Sequence, residues 1–496
     1  METQSKETLW VGNVGEYGMD ARTRFKGLAS DSREVKPGYL FAALPGTQAD
    51  GGKFVADAVA RGAVAVLGQP ELASRMREFG IVFLADENPR LRLAHLAADF
   101  FDAQPATIAA VTGTNGKTSV AVFLRQLWAS ENIKAASLGT IGLVTPKGEI
   151  PLTHTTPDPI ALHRLLAELQ HDGIEHLAME ASSHGLDQYR LDGTKISAGA
   201  FTNITRDHLD YHPTFEAYLA VKVRLFSELV RDGGVAVVNA DAEHSSEFVS
   251  AARARKLKLL TVGERGNALK LITRAPRGDG QDLRVRCCGN EWDVSLSLAG
   301  SFQASNALVA AALAIGLGSP EDKVFAGLAQ LKGAPGRLEK VAYAPSGAPV
   351  YIDYAHTPDA LETVLTALRP HVRGRLHVIF GCGGDRDRGK RPLMGAAAAK
   401  HADAVIVTDD NPRSEDPAAI RREALAGCSG GREIGDRAEA IHAGVAALQA
   451  GDMLVIAGKG HETGQTIGDR TRPFSDREQA IEAATSLGGR AAELPE

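Results

Sequence analysis

The segment Gly113-Thr114-Asn115-Gly116-Lys117-Thr118 carries the residue types of a phosphate-cradling loop, and its position in the chain suits that chemistry. It follows the apolar run TIAAVT, and Val120, Phe123, Leu124 and Leu127 come after it at helical spacing. A strand, a loop and a helix therefore succeed one another, as such a loop requires. Backbone N–H groups at the helix N-terminus would hold phosphate oxygens, Lys117 would reach the terminal phosphates, and Thr118 would bind Mg²⁺. The general pattern places glycine where this chain has Val111. The motif is thus a variant, and a plain glycine-rich turn is the alternative.

Other polar residues close apolar runs. Glu180 ends HLAME and His208 lies in NITRDHLDYH; a carboxylate suits Mg²⁺, whereas imidazole can ligate a metal but is not preferred by so hard an ion. The bland alternative for each is a hydrogen-bonded structural residue. Lys222, in the helix-like FEAYLAVKVRLF, reads from spacing alone as a solvated helix lysine. Asp353 and His356 occupy the turn after VYIDY, the strand end at which open α/β sheets place ligands. Arg386, Arg388, Lys390 and Arg391 form a cationic loop beside Gly381, Gly383 and Gly384. It is either a solvated turn or a site where backbone and guanidinium groups approach an anion. Asp410, Asn411, Arg413 and Glu462 supply both signs of charge, a mixture suited to a zwitterionic amino acid.

An α/β fold must position these residues. At 496 residues the chain predicts about three domains. Short apolar runs at Tyr39, Ala63 and Ile81, separated by Gly- and Pro-bearing turns, predict a small N-terminal α/β domain, residues 1–104. A central domain with a largely parallel sheet follows over 105–335, closing near GAPGRLEKV. Leu308, Ala311, Ala312 and Ile315 form a helical stripe behind Asn306, which predicts Asn306 at that helix's start. In residues 336–496 VYIDY precedes Thr357-Pro358, a cap and first-turn pair, and a helical pattern. LHVIFG, ADAVIVT and DMLVIAG each run into a polar loop: GCGGDRDRGKR, DDNPRSED and GKGHE. These three loops should converge on one site.

Composition narrows the function classes. A net charge of −6 without a long basic run argues against nucleic-acid binding. Cys287, Cys288, Cys382 and Cys428 have neither the paired spacing of a zinc site nor disulfide-scaffold density, so reduced thiols are expected. The start METQSKETLW lacks signal-peptide features and no apolar run reaches spanning length, which places the expected protein in the cytoplasm with no membrane span.

TGTNGKTS, MEASSHGL, FTNITRDHLDYH, AYLAVKVRLF, DYAHTPDAL, GCGGDRDRGKRPLMG, DNPR and GKGHE occur in this order. In this the chain resembles the Mur ligase family over nearly its whole length, and the variant phosphate loop is one such ligases use. The resemblance implies three domains: one for a UDP-sugar, a central ATPase, and a Rossmann-like domain that closes on the nucleotide and brings an amino acid. It implies ATP and Mg²⁺, a monomer, and ATP-dependent addition of meso-diaminopimelate to UDP-N-acetylmuramoyl-L-alanyl-D-glutamate through an acyl phosphate, a step of peptidoglycan synthesis.

By the same resemblance ATP would be held by Gly113, Thr114, Asn115, Gly116, Lys117, Thr118 and Ser119, with Asn306, Arg337, Asp353 and His356. Lys117, Glu180, His208 and Lys222 would be catalytic. The metal site would be Thr118, Glu180, His208 and a carbamylated Lys222. Ser30, Ser32, Thr47, Gln48 and Ala49 would contact the uridine nucleotide, while Thr155, Thr156, Ser182, Gln188 and Arg190 would hold the muramoyl peptide. Diaminopimelate would meet Arg386, Asp410, Asn411, Pro412, Arg413, Gly458 and Glu462. Arg413 offers a forked donor for the second carboxylate that distinguishes this amino acid from lysine. Folylpolyglutamate synthase is the nearest rival reading, opposed by the DNPR and GKGHE loops. A P-loop kinase or motor-type NTPase and a nucleotide-binding regulator without turnover are rivals of other classes.

Overall fold

A computed structural model describes residues 25–46, 50–208 and 211–492. The chain is α/β throughout and divides into two compact units, one made of the described residues up to 114 with 132–236 and 246–259, the other of 115–131, 237–245 and 260–492.

The first unit opens with a four-stranded parallel sheet, Gly27–Ala29, Tyr39–Ala42, Ala65–Gly68 and Val82–Ala85, paired in chain order. Side chains alternate across a strand, so the apolar runs supply two cores. Leu40, Ala42, Ala65 and Leu67 meet Leu93, Leu96 and Ala97 of the helix Pro89–Phe101 on one face. Phe41, Val66 and Phe83 meet Val55, Ala58 and Met76 on the other. Four further strands, Ile196–Phe201, Thr107–Thr112, His176–Glu180 and Ala135–Gly139, lie side by side in that order and are parallel. This matches the expected parallel centre. Gly142–Thr145 and Gly148–Ile150 extend it antiparallel.

In the second unit the helix Lys117–Ser130 buries Val120, Phe123, Leu124 and Leu127, as their spacing predicts. The helix Ser301–Gly316 buries an unbroken run from Asn306 to Ala314. It starts five residues before Asn306, so that residue lies in the second turn and not at the helix start. The reason is local: SFQAS is compatible with helix, and the break falls at Gly300, whose φ of 91° suits glycine. Antiparallel strands Leu269–Arg277, Gly280–Cys287 and Asn290–Leu296 were not expected. Gly280–Cys287 alternates buried and exposed residues, the mark of a sheet with one wet face.

The last sheet runs Arg432–Glu433, Ala404–Val407, Leu376–Phe380, Met453–Ala457, Pro349–Asp353, Arg337–Tyr343, Arg490–Ala491. The first five are parallel and the last two antiparallel to their neighbours. Val378, Phe380, Val455 and Ala457 face one core, and Ile379, Leu454 and Ile456 the other. Thr357 caps the helix Pro358–Leu368 by accepting from the Ala360 N–H, and Leu361, Val364, Leu365 and Leu368 are its buried stripe.

Candidate active site

Gly113 and Gly116 have φ of 149° and 88°, so the loop they bound needs glycine at both ends. A Cβ on Gly113 would lie 2.0 Å from Thr202 Oγ1, and one on Gly116 would lie 2.4 Å from Asn306 Oδ1. Asn306 therefore packs against the phosphate loop even though it is not at its helix's start. Asn115 is exposed, Lys117 is half-buried at the first helical position, and Thr118 and Ser119 are buried.

In the first unit the expected lysine reaches Gly113, and the expected acid ends the strand paired with the one before the loop. Lys222 is 1% exposed, which overturns its solvated reading: its Nζ donates to Gly113 O at 2.8 Å. An ammonium so buried must find oxygen partners. Tyr218, one helical turn earlier, carries the Lys222 Nζ 4.6 Å from its ring centre and shares a 3.1 Å hydrogen bond with Thr114 Oγ1. Burial raises the Tyr218 phenol well above its ordinary value, so it stays neutral. Sequence reasoning missed Tyr218, although its spacing from Lys222 is the signal of a shared helix face. His208, with φ of 53°, is exposed and its ring lies 6.3 Å from that of Tyr218.

Glu180 is buried, and its carboxylate accepts from the Thr140 N–H at 2.8 Å and from Thr140 Oγ1 at 3.2 Å. Thr140 Oγ1 is 3.2 Å from Thr155 Oγ1. Thr156 Oγ1 donates to Glu180 O and lies 2.9 Å from Ser182 Oγ, which caps the helix Ser183–Asp187. Arg190 donates to Thr156 O at 2.7 Å and to Gln188 Oε1 at 2.7 Å, and Gln188 donates to Tyr211. Thr155, Thr156, Ser182, Gln188 and Arg190 thus form one hydrogen-bonded patch attached to Glu180. Ser30 is exposed and Ser32 buried beyond the first strand, apart from this patch in the bonding pattern. Thr47, Gln48 and Ala49 lie outside the described residues.

In the second unit Arg337 stacks its guanidinium 4.6 Å from the Tyr354 ring centre, and the rings of His356 and His461 lie 4.7 and 5.4 Å from Tyr354. The Arg337 guanidinium with this cluster of rings could take an aromatic base. Asp353 lies behind it, both oxygens accepting backbone N–H bonds at 2.7 Å, from Leu338 and Ala355. Burial raises its carboxyl above the ordinary value, against the pull of Arg337 and these two donors. Asp353 therefore holds the turn's shape.

The three polar loops converge as expected. Gly384 N donates to Asn411 O at 2.9 Å, and Arg413 Nη1 donates to Gly384 O at 2.8 Å. Asn411 Nδ2 donates to Glu462 Oε2, while Lys459 Nζ bonds both Asn411 Oδ1 and Glu462 Oε2. A Cβ on Gly458 would fall 2.8 Å from Asp410 Oδ2. Asp410, Asn411 and Pro412 are buried; Arg413 has φ of 52° and is half-buried, and among the described residues it has no carboxylate ion pair.

The cationic loop divides in two, contrary to a single dense patch. Arg386 and Arg388 are exposed, and Arg388 pairs with Glu415. Arg391 is fully buried in the first turn of the helix Lys390–His401, bonded to Glu415, Glu423 and Gly383 O. Arg437, also fully buried, forks onto Asp476 and donates to Ala457 O and Asp409 O, the carbonyls just before Gly458 and Asp410. Neither it nor Lys459 stood out in the sequence, because only tertiary contacts distinguish them from surface cations.

Three family descriptions match the chain: "Mur ligase family, catalytic domain" over 24–101, "Mur ligase middle domain" over 111–314, and "Mur ligase, glutamate ligase domain" over 336–460. The UDP-N-acetylmuramoyl-L-alanyl-D-glutamate–2,6-diaminopimelate ligase of Bradyrhizobium diazoefficiens is 55% identical over 466 residues, covering 93% of this chain and 95% of that protein. The ligase of the same name from Brucella melitensis is 50% identical, covering 97% and 96%. A solved structure of a ligase of that name superimposes with a TM-score of 0.71 at 36% identity, covering 93% and 95%. Mycobacterium tuberculosis folylpolyglutamate synthase shares the fold alone, with a TM-score of 0.60 at 19% identity.

Proposed function

The chain belongs to the Mur ligase family, and on that premise we propose that it is the ATP-dependent, ADP-forming ligase that joins meso-diaminopimelate to the D-glutamyl γ-carboxylate of UDP-N-acetylmuramoyl-L-alanyl-D-glutamate in peptidoglycan synthesis. Its relatives at about half identity over most of the chain carry that name. The observation that carries the choice of amino acid is Arg413. Its Nη1 is anchored on Gly384 O, in a loop cluster also holding Asn411, Lys459 and Glu462, and no protein carboxylate pairs with it among the described residues. A fixed guanidinium of this kind favours a substrate carboxylate that lysine lacks.

Amide formation from a carboxylate and an amine is uphill in water, so ATP must activate the acid. The γ-carboxylate attacks the γ-phosphorus, ADP leaves, and the diaminopimelate amine displaces phosphate from the acyl phosphate through a tetrahedral intermediate. Lys117, at the start of its helix, offsets charge that develops on the transferring phosphoryl group, and the loop's backbone N–H groups orient it. Tyr218 and Thr114 brace the loop from behind. Thr155, Thr156, Ser182, Gln188 and Arg190 are assigned to the muramoyl peptide, Ser30 and Ser32 to the uridine nucleotide. Arg337, Tyr354 and His356 would take the adenine end of ATP.

By the family resemblance Thr118, Glu180 and His208 would hold Mg²⁺, which when bound would supply neutralisation of the phosphate charge. Lys222 as an ammonium would repel that ion. Its burial against Gly113 O fits the family's carbamylation, which turns the cation into an anion. The domain limits that accompany this reading are 1–104, 105–335 and 336–496. The enzyme would work as a monomer in the cytoplasm; separately, no described helix is long and apolar enough to cross a membrane.

The deciding assay incubates the protein with the UDP-linked dipeptide, ATP and Mg²⁺, and compares meso-diaminopimelate with lysine by mass spectrometry. The expected result is a product with the first amino acid only. Equal use of both, or none of either, overturns the proposal. Lys222 is tested separately: a carbamoyl mass increment and rescue of Lys222→Ala by short carboxylic acids are expected, and failure of both removes the carbamate.

A further inference from the structure

The strands Gly280–Cys287 and Asn290–Leu296 are joined by the two-residue turn Cys288-Gly289, with Cys287 opposite Asn290. Cys288 and Gly289 have φ of 49° and 90°, the mirror-image turn in which asparagine is favoured before glycine. Cysteine at that strained position places its sulfur beside that of Cys287, at 3.8 Å. Glu321, the first residue of the helix Glu321–Leu328, brings a third donor from a separate part of the chain; the two sulfurs and a carboxylate oxygen all lie within 4.8 Å of one another. The stack of Trp292 on Phe325, 4.7 Å apart and 9° from parallel, holds hairpin and helix in this register.

We propose that Cys287, Cys288 and Glu321 form a binding site for one thiophilic divalent cation, with Zn²⁺ as the best fit, at the tip of this hairpin. Sulfurs each about 2.3 Å from a tetrahedral zinc stand roughly 3.8 Å apart, the separation seen here, whereas a disulfide needs about 2.05 Å and would require the turn to move. Two thiolates and one carboxylate exclude Mg²⁺, which takes oxygen ligands, and suit zinc with water at the fourth position. Binding forms two Zn–S bonds and releases the thiol protons to solvent, so affinity rises with pH. The site lies outside the residues assigned to ligation, and its occupancy stabilises the fold by mass action without entering the reaction.

The test uses the full-length reduced protein in excess Mg²⁺, titrated with Zn²⁺ against a chromophoric chelator, and with Co²⁺ as a spectroscopic substitute. One Zn²⁺ per chain and a cobalt–thiolate charge-transfer band are expected, together with a rise in melting temperature. Cys288→Asn keeps the residue type the turn prefers, so the chain should fold and ligate normally while zinc affinity falls at least about 100-fold; Glu321→Gln should weaken it about tenfold. Unchanged zinc stoichiometry in Cys288→Asn, or absence of the cobalt–thiolate band in the parent protein, overturns the proposal.

Discussion

The phosphate loop and the amino-acid loops are held in place by opposite means. Around Gly113 and Gly116 the shape is set by backbone torsions, with Thr202 and Asn306 filling the space a side chain would need. Around Asn411 and Arg413 it is set by buried charge: Arg391 ties the Gly383 carbonyl to Glu415, and Arg437 ties the Ala457 and Asp409 carbonyls to Asp476. The first region needs small residues at fixed spacing because phosphates are bound by backbone N–H groups. The second must present fixed charges to a charged amino acid, and a loop can do so only if counter-charged struts hold it. Invariant chemistry is served by backbone; selectivity is served by side chains.

Changes at the two regions should therefore fail differently. Lys117→Ala should leave the fold intact and reduce ligation on the order of 10⁴-fold, read from steady-state turnover with circular dichroism as the control; near-normal turnover would remove the phosphate loop from catalysis. Arg437→Met should act through stability, because Asp476 is left as an uncompensated buried charge. A loss of about 3–5 kcal/mol in urea unfolding is expected, and a loss below about 1 kcal/mol would mean the strut is dispensable. Arg413→Ala should lower kcat/KM for meso-diaminopimelate by about 10²-fold and leave that for lysine nearly unchanged. A parallel fall for both amino acids would make Arg413 structural.

The smallest effect concerns acid. The Arg391 hydrogen bonds, with the Asp385 backbone N–H, lower Glu415 from its ordinary 4.5 to about 2. A carboxyl depressed in the folded state contributes stability that is complete above its unfolded value and is lost as pH falls through its folded one. Stability should decline between about pH 5 and pH 2, and Glu415→Gln should flatten that decline in urea titrations at stepped pH. An unchanged slope would mean that the Glu415–Arg391 pair is not formed in solution.

Much of this was legible in advance. The strand runs, the Thr357 cap, the Lys117 helix and the meeting of the three C-terminal loops follow from periodicity and from where special residues stand. The antiparallel strands of 269–296 went unassigned because their polar face hides the apolar alternation among charged residues. Asn306 was misplaced by five residues because the helix start is set by the positive φ at Gly300, which no apolar stripe reports. Arg391, Arg437 and Lys459 look like surface cations in one dimension.

What the amino-acid order settled alone is local chemistry: which loop can cradle phosphate, which residues can carry charge and in what succession they come. A residue's type and its near neighbours decide those properties. The tertiary structure decided which charges leave water. Lys222 passed from solvated to buried, Arg391 and Arg437 became struts, and Cys287 and Cys288 acquired Glu321. Burial sums contributions from segments far apart in the chain, so it exists only once they are packed.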